Sequence, residues 1–214
     1  MPSDATRMSS AAALIRGHRL IVVLRRIEPM ERLVSTVREL IEMGARIFEV
    51  TMDASEAGAA LLAVRQGLSA SDGACLVGAG TVRTPEQLEA AIAAGADFGV
   101  SPILDTAVLS GALAAHFPFI PGAYTPTEAD AAWRAGATFV KLFPASSLGP
   151  SHLRELRGPL GEIEVIPTGG IDAGNAAAFL AAGAVAVGIG SALVQGNAAA
   201  RRAILDAVTR VEPS

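Results

Sequence analysis

The stretch GATFVKLFP, residues 136–144, decides how this chain folds. It begins with a Gly-Ala pair, and glycine suits the end of a helix because it adopts the left-handed conformation without steric cost. A short apolar run follows at once and is typical of a buried strand. The same pair precedes an apolar run at residues 44–45, 95–96 and 183–184. This internal repeat predicts helices that alternate with parallel strands.

Short apolar runs and Ala-rich stretches of helix length alternate along the whole chain. Eight of the runs are predicted strands, at residues 20–25, 46–52, 74–80, 97–101, 117–121, 138–143, 163–168 and 185–190. Eight strands with helix-length connections predict an α/β fold, and the fourfold Gly-Ala repeat favours a single (β/α)8 TIM barrel over an open, doubly wound sheet. We expect one barrel domain over residues 1–214, with a loose tail at 1–10 and a closing helix at 198–211.

The composition narrows the class of protein. Of the 214 residues, 51% are hydrophobic, enough for a large core, and the net charge of −4 offers no basic surface for nucleic acid. The single cysteine, Cys75, excludes an internal disulfide and a cysteine-based metal site, and the three histidines lack the spacing of metal ligands. The sequence shows neither a secretory signal nor an apolar run of membrane-spanning length. We therefore expect a soluble, cytoplasmic protein without a nucleic-acid, membrane or metal partner.

Lys141 is the only lysine of the chain, against sixteen arginines, and it lies in the middle of a predicted strand. Strand alternation places Phe139, Lys141 and Phe143 on one face. An ammonium held between aromatic rings is poorly solvated, which favours the neutral, nucleophilic amine, and an arginine cannot take this role because it stays charged. The alternative, non-functional interpretation is that a single lysine remains by chance in an arginine-rich composition. The position of Lys141 in a strand, rather than on a solvated helix face, favours a catalytic role for this lysine.

Polar residues follow several predicted strands, at the end where barrel enzymes place their functional groups. They are Arg25, Glu49, Thr51, Thr81, Ser101, Thr168 and Ser191. Among apolar neighbours, Glu49 has two interpretations that stay open. It forms a structural ion pair with Arg25 or Lys141, or it acts as a buried general acid and base.

Two glycine-containing loops, TGGID at 168–172 and GIGS at 188–191, follow the seventh and eighth predicted strands, where barrels often bind phosphate. Glycines let backbone N–H groups approach anionic oxygens. Thr81 offers donors to a carboxylate, or alternatively caps the helix that begins near Pro85, although Thr84 is better placed as a cap.

Several motifs follow one another with consistent spacing between about residues 20 and 194. They are VVLR at 22–25, FEVT at 48–51, GAGTV at 78–82, SP at 101–102, PGAYTPTE at 121–128, KLFP at 141–144 and PTGG at 167–170. Together they resemble the class I aldolases that act on 2-keto-3-deoxy-6-phosphogluconate (KDPG) and 4-hydroxy-2-oxoglutarate (KHG).

This resemblance implies a TIM barrel, usually a homotrimer, that needs no cofactor and cleaves a phosphorylated 2-keto-3-deoxy sugar acid into pyruvate and glyceraldehyde 3-phosphate. 4-Hydroxy-2-oxoglutarate is a further expected substrate. By the same match Lys141 forms the Schiff base and Glu49 shuttles protons. Arg25 and Thr81 hold the pyruvyl carboxylate, and Phe143 packs beside the imine. The loops that take the distal phosphate contain Thr168, Gly169, Gly170, Gly190 and Ser191.

The chain departs from the family pattern at Asp53, where many bifunctional members carry an arginine. Members that cleave the galactonate-series epimer carry a short polar residue there, so both the gluconate and the galactonate epimer stay open as substrates. Two other classes of function also stay open. One is a phosphate-binding barrel isomerase or synthase that uses Lys141 without a covalent step, and the other is a catalytically silent barrel that binds sugar acids.

Overall fold

The computed structural model describes residues 4–69 and 72–210. Its strands are β1 (Leu20–Leu24), β2 (Ile47–Thr51), β3 (Leu76–Gly80), β4 (Gly99–Val100), β5 (Phe119–Ile120), β6 (Gly122–Ala123), β7 (Val140–Leu142), β8 (Val165–Pro167) and β9 (Val187–Ile189). Its helices are α1 (Asp4–His18), α2 (Met30–Glu42), α3 (Ala57–Gly67), α4 (Pro85–Ala93), α5 (Thr106–Ala114), α6 (Pro126–Arg134), α7 (Gly149–Arg157), α8 (Ala176–Ala181), α9 (Ser191–Val194) and α10 (Ala198–Thr209). None of the helices in these ranges is long and apolar enough to cross a membrane.

The strands form a closed ring of parallel pairings. One sheet has the order β5-β4-β3-β2-β1-β9 and the other has the order β6-β7-β8. Only Pro121, which has no N–H to donate, separates β5 from β6. On the other side, a parallel bridge between Thr168 and Gly188 joins β8 to β9. Counting β5 and β6 as one interrupted strand gives eight positions, and the predicted (β/α)8 barrel is confirmed.

The Gly-Ala repeat marks helix ends, as the sequence predicts. All four glycines have positive φ: Gly44 (109°), Gly95 (80°), Gly136 (95°) and Gly183 (99°). After the first of them, the N–H of Ala45 donates to the carbonyl of Leu40 at 2.9 Å, which closes the last turn of α2. The chain then enters the next strand without a longer loop.

Two apolar cores share the strands, because alternate residues of a strand face opposite sides of the sheet. Val22 and Phe48 pack outward against the helices. Ile21 and Ile47 face the barrel interior, where they join Leu76, Phe98, Val100, Ile120, Phe139, Ile166 and Ala186. These side chains fill the lower part of the barrel, so polar chemistry is confined to the end where the strands finish.

The N-terminal segment differs from the prediction of a loose tail at residues 1–10. Helix α1 begins at Asp4, and Ala11, Ala12 and Ile15 are buried against the interior cluster. The prediction is therefore wrong from Asp4 onward, while residues 1–3 lie outside the described part. Alanines give only a weak hydrophobic periodicity in the sequence. Because they are small, they allow α1 to approach the strands closely and to cover the bottom of the barrel. At the other end, the predicted closing helix is α10, and residue 211 of its predicted range lies outside the description.

Candidate active site

Lys141 and Glu49 meet inside the barrel near the carboxyl ends of the strands. Lys141 lies on β7 and Glu49 on β2, and they are 4% and 2% exposed, respectively. Lys141 Nζ lies 3.6 Å from Glu49 Oε1, and within the described residues this oxygen is buried without a hydrogen-bond partner. A lysine and a carboxylate are rarely buried so completely unless they are paired. Of the two ion pairs that the sequence leaves open for Glu49, the one with Lys141 is present, but the contact is longer than a normal hydrogen bond.

The glycines of β3 make room for the side chains that cross the barrel. A β-carbon added at Gly80 would lie 2.5 Å from Glu49 Cγ and 2.6 Å from its Cδ. At Gly78 an added β-carbon would lie 2.5 Å from the ring of Phe98 instead. The Glu49 carboxyl group thus occupies the volume that an ordinary side chain at residue 80 would fill. The position of Glu49 depends on a glycine of the neighbouring strand.

The two phenylalanines beside Lys141 have different surroundings. Lys141 Nζ lies 5.2 Å from the ring centroid of Phe143, within the range of a cation–π contact. Phe139 is fully buried in the interior cluster, and the guanidinium of Arg16 lies 5.0 Å from its ring. Phe143 is therefore the ring whose face the amine meets, whereas Phe139 belongs to the apolar floor below.

Arg25 lies directly after β1 and its guanidinium is held at two points. Nη2 donates to Thr81 Oγ1 at 3.3 Å, and Nη1 lies 3.3 Å from Asp53 Oδ2. The same carboxylate oxygen also lies 3.3 Å from Arg26 Nη2. Burial raises the pKa of Asp53, but the Thr51 hydroxyl and the charges of both arginines outweigh burial and hold this pKa below its ordinary value.

Thr81 has a geometry that suits a binding role better than a capping role. It is buried and has a φ of 58°, a conformation that is uncommon for a threonine. Helix α4 is capped instead by Thr84, whose hydroxyl accepts from the N–H of Gln87. Of the two interpretations from the sequence, the capping one is therefore wrong. Two other strand-end hydroxyls have local partners, because Ser101 Oγ accepts from Ile103 N at 3.3 Å and Thr51 Oγ1 lies 3.5 Å from the carbonyl of Leu24.

A cavity of about 340 Å³ opens at this end of the barrel. Its wall includes eight of the residues singled out from the sequence: Arg25, Lys141, Phe143, Thr168, Gly169, Gly170, Gly190 and Ser191. Glu49 lies behind Lys141, and Thr81 is linked to the wall through Arg25. Sequence reasoning missed Val23, Ile171, Val194 and Gln195, which complete the wall.

The two glycine-containing loops lie side by side in this cavity, because β8 and β9 are neighbours. Gly169 and Gly170 have φ values of 94° and 71°, so side chains at these positions would be strained. Gly188 leaves room for the Thr168 side chain, which an added β-carbon would strike. The two loops, predicted separately from the sequence, therefore border one space.

A second, larger cavity of about 830 Å³ lies outside the barrel, between the ends of β1 and β2 and helices α2 and α3. Its lining includes Arg26 and, of the strand-end candidates from the sequence, only Thr51. The candidate active site is the smaller cavity, because of these two cavities only the smaller one combines the amine with the glycine-containing loops. No group of three or more potential metal ligands occurs in the described ranges, 4–69 and 72–210.

Comparisons with known proteins identify the family and the fold of the chain. A family model described as KDPG and KHG aldolase matches residues 12–211. The chain is 37% identical over 175 residues to the probable 2-dehydro-3-deoxy-6-phosphogalactonate aldolase of Rhizobium meliloti (strain 1021), and this match covers 81% of each protein. It is 40% identical over 162 residues to the 2-dehydro-3-deoxy-phosphogluconate aldolase of Treponema pallidum (strain Nichols). This match covers 75% of this chain and 74% of the relative.

Among solved structures, the chain resembles the KDPG aldolase from Legionella pneumophila, in which pyruvate was captured at low pH as a covalent carbinolamine intermediate. The TM-score is 0.76 at 27% identity, and the match covers 94% of this chain and 98% of that one. The resemblance that the sequence motifs indicate is confirmed by this agreement in fold and sequence. The chain belongs to the KDPG and KHG aldolase family.

Proposed function

We propose that this protein is a class I aldolase that cleaves a phosphorylated 2-keto-3-deoxy sugar acid into pyruvate and glyceraldehyde 3-phosphate through an imine on Lys141. The observation that carries the proposal is the buried amine of Lys141 at the wall of the loop-lined cavity, beside Glu49 Oε1, which has no hydrogen bond among the described residues. The covalent carbinolamine named for the Legionella relative supports the same chemistry.

The reaction begins when the neutral amine of Lys141 attacks the C2 ketone of the substrate. Loss of water from the carbinolamine gives an iminium ion, which is an electron sink. Removal of the C4 hydroxyl proton then breaks the C3–C4 bond, whose electron pair moves toward the iminium nitrogen. The products of this step are an aldehyde and an enamine. Protonation of the enamine at C3 and hydrolysis of the resulting imine release pyruvate and restore the amine.

Glu49 is the proposed proton shuttle for these steps. A purely structural ion pair at this depth needs hydrogen bonds to offset the loss of solvation, and Glu49 Oε1 has none among the described residues. An open acceptor near the amine is instead suited to take the hydroxyl proton, directly or through one water molecule, and to return it later. Because Glu49 Oε1 lies 3.6 Å from Lys141 Nζ, a substrate held on that amine as an imine would lie next to this acceptor.

The substrate anions have two proposed partners. Arg25, with Thr81 behind it, receives the carboxylate next to the reacting ketone. The loops that contain Gly169, Gly170 and Ser191 receive the phosphate at the far end. The cavity volume falls within the range of small-ligand sites. Binding of the substrate at both ends holds the ketone next to Lys141. The binding energy is thus used to orient the reacting group.

The family resemblance alone supports three further parts of the proposal. We infer a single catalytic domain, a homotrimer as the active form, and a cytoplasmic location. The same resemblance implies no cofactor, so activity is expected to survive treatment with a chelator. Sedimentation analysis of the purified protein tests the trimer directly.

The test of this function is cleavage of three substrates side by side: KDPG, its galactonate-series epimer and 4-hydroxy-2-oxoglutarate. The sequence relatives are named for both phosphorylated epimers, so the ratio of the kcat/KM values assigns the preferred one. We expect pyruvate from at least one phosphorylated epimer, and no pyruvate from Lys141→Arg, which keeps the charge but lacks a nucleophilic amine. Cleavage by the arginine variant would favour a noncovalent enzyme, and no cleavage of any substrate by the wild type would favour a binding protein.

A further inference from the structure

We infer that Asp53 is a positioning residue, which sets the guanidinium of Arg25 for the substrate carboxylate. The inference rests on the proposed function. Asp53 Oδ2 lies 3.3 Å from Arg25 Nη1, and the other arm of the guanidinium donates to Thr81 Oγ1 at 3.3 Å. Arg25 is thus fixed across both ends of its planar fork, by one residue that follows β2 and one that follows β3.

Arg25 needs such a restraint because of where it lies. Its side chain is 51% exposed and extends from the end of β1, so packing alone does not hold it. The Asp53 side chain is only 15% exposed. Asp53 is further anchored by Arg26, whose Nη2 donates to the backbone carbonyl of Asp53 at 3.3 Å. A carboxylate that is itself anchored therefore holds an exposed guanidinium.

Arg25 can still bind substrate while it contacts Asp53 and Thr81. A guanidinium has five N–H donors in a fixed fork, and the contacts to Asp53 and Thr81 use one on each terminal nitrogen. The remaining donors belong to a residue that lines the cavity together with Lys141. The substrate carboxylate is bonded to the ketone carbon that Lys141 attacks, so fixing Arg25 also fixes the ketone.

The carboxylate of Asp53 also has an opposing effect, because its negative charge repels the substrate carboxylate. Burial raises the pKa of Asp53, but the Thr51 hydroxyl and the two arginines together hold it below its ordinary value, so the group is ionised at neutral pH. Salt screens this repulsion but does not replace the lost restraint on Arg25. Measurements at high ionic strength therefore reduce the repulsion, and they weaken the attraction between Arg25 and pyruvate in every variant alike.

The experiment compares pyruvate with pyruvamide, its neutral amide of nearly the same size, as carbonyl compounds trapped on the protein by borohydride. The wild type is titrated at high ionic strength beside Asp53→Asn, Asp53→Ala and the control Asp130→Asn, which breaks a different aspartate–arginine pair, the one with Arg134 on α6. Both Asp53 variants should raise the pyruvate concentration for half-maximal trapping by roughly five- to thirtyfold, because a released arginine must give up rotamer freedom on binding. The maximal trapping rate should stay within about twofold.

Pyruvamide and the control variant separate positioning from a structural role. Trapping of pyruvamide, which has no carboxylate, should be unchanged in both Asp53 variants, and Asp130→Asn should bind pyruvate like the wild type. Equal shifts for the two compounds, or no shift for pyruvate, would overturn the inference while the proposed function stands. A wild-type protein that forms no pyruvate adduct would overturn both, and that outcome is visible before any variant is compared.

Discussion

Substitution of Gly80 by alanine tests how the barrel places its proton shuttle. The new methyl group would lie 2.5 Å from Glu49 Cγ and 2.6 Å from Cδ, so the carboxyl group must move. Gly78→Ala is the matched control, because it adds the same methyl two residues earlier on β3 at 2.5 Å from the Phe98 ring. Both substitutions overfill the barrel interior, but only the first displaces a proposed catalytic group.

The size of the expected loss of kcat follows from these distances. Carbon atoms pack at about 3.5–4.0 Å, so the Glu49 carboxyl group must retreat by about 1 Å. A misplacement of about 1 Å costs on the order of 100-fold in rate, and acid–base catalysis as a whole contributes about 10²- to 10⁴-fold. We therefore expect kcat of Gly80→Ala to fall by about 100-fold. Overpacking should lower the stability of both variants by about 1–3 kcal/mol.

The assay measures pyruvate release at saturating substrate together with thermal unfolding followed by circular dichroism. Gly78→Ala should unfold at a lower temperature yet keep kcat close to that of the wild type at a temperature where both are folded. The reasoning is refuted if Gly80→Ala retains normal kcat, or if Gly78→Ala loses as much activity at equal folded fraction.

Three further predictions concern the phosphate loops, a helix end and a helix cap. Ser191→Asp places a negative charge beside the proposed phosphate site, so KM should rise much more for the phosphorylated substrate than for 4-hydroxy-2-oxoglutarate, and equal increases would remove the phosphate assignment. Gly183→Ala forces a positive φ of 99° on alanine and should lower the free energy of unfolding by roughly 1–3 kcal/mol in a denaturant titration, with kcat unchanged. Thr125→Ala breaks the capping box that Thr125 forms with Glu128 and should cost about 0.5–2 kcal/mol in the same titration; an unaltered midpoint would show that α6 does not need its cap.

The sequence predicts the parts of this molecule that repeat or that follow strand alternation. The Gly-Ala pairs identify the helix ends. Residues at strand ends converge in a barrel, and Lys141, Phe143 and the glycine-containing loops line one cavity. The burial of α1 is not predictable in this way, because alanines against a barrel floor leave no strong period.

Contacts between side chains on different strands are the other part that the sequence does not give. Asp53 is recognisable as a departure from the family pattern, but its shared contact with Arg25 and Arg26 depends on rotamers and loop geometry. Similarly, Val194 and Gln195 lie on and after the short helix α9, where no periodic pattern indicates that they border the cavity.

The central claim is that Lys141 forms a covalent imine with the substrate ketone. The most direct measurement is incubation with pyruvate and borohydride followed by intact mass and peptide mapping. Because Lys141 is the only lysine, the candidate amines are its Nζ and the N-terminal amine. We predict one reduced pyruvyl adduct per chain, located on Lys141, with loss of cleavage activity and no such adduct in Lys141→Arg. An adduct confined to the N-terminus, or full activity after complete trapping, would contradict the account.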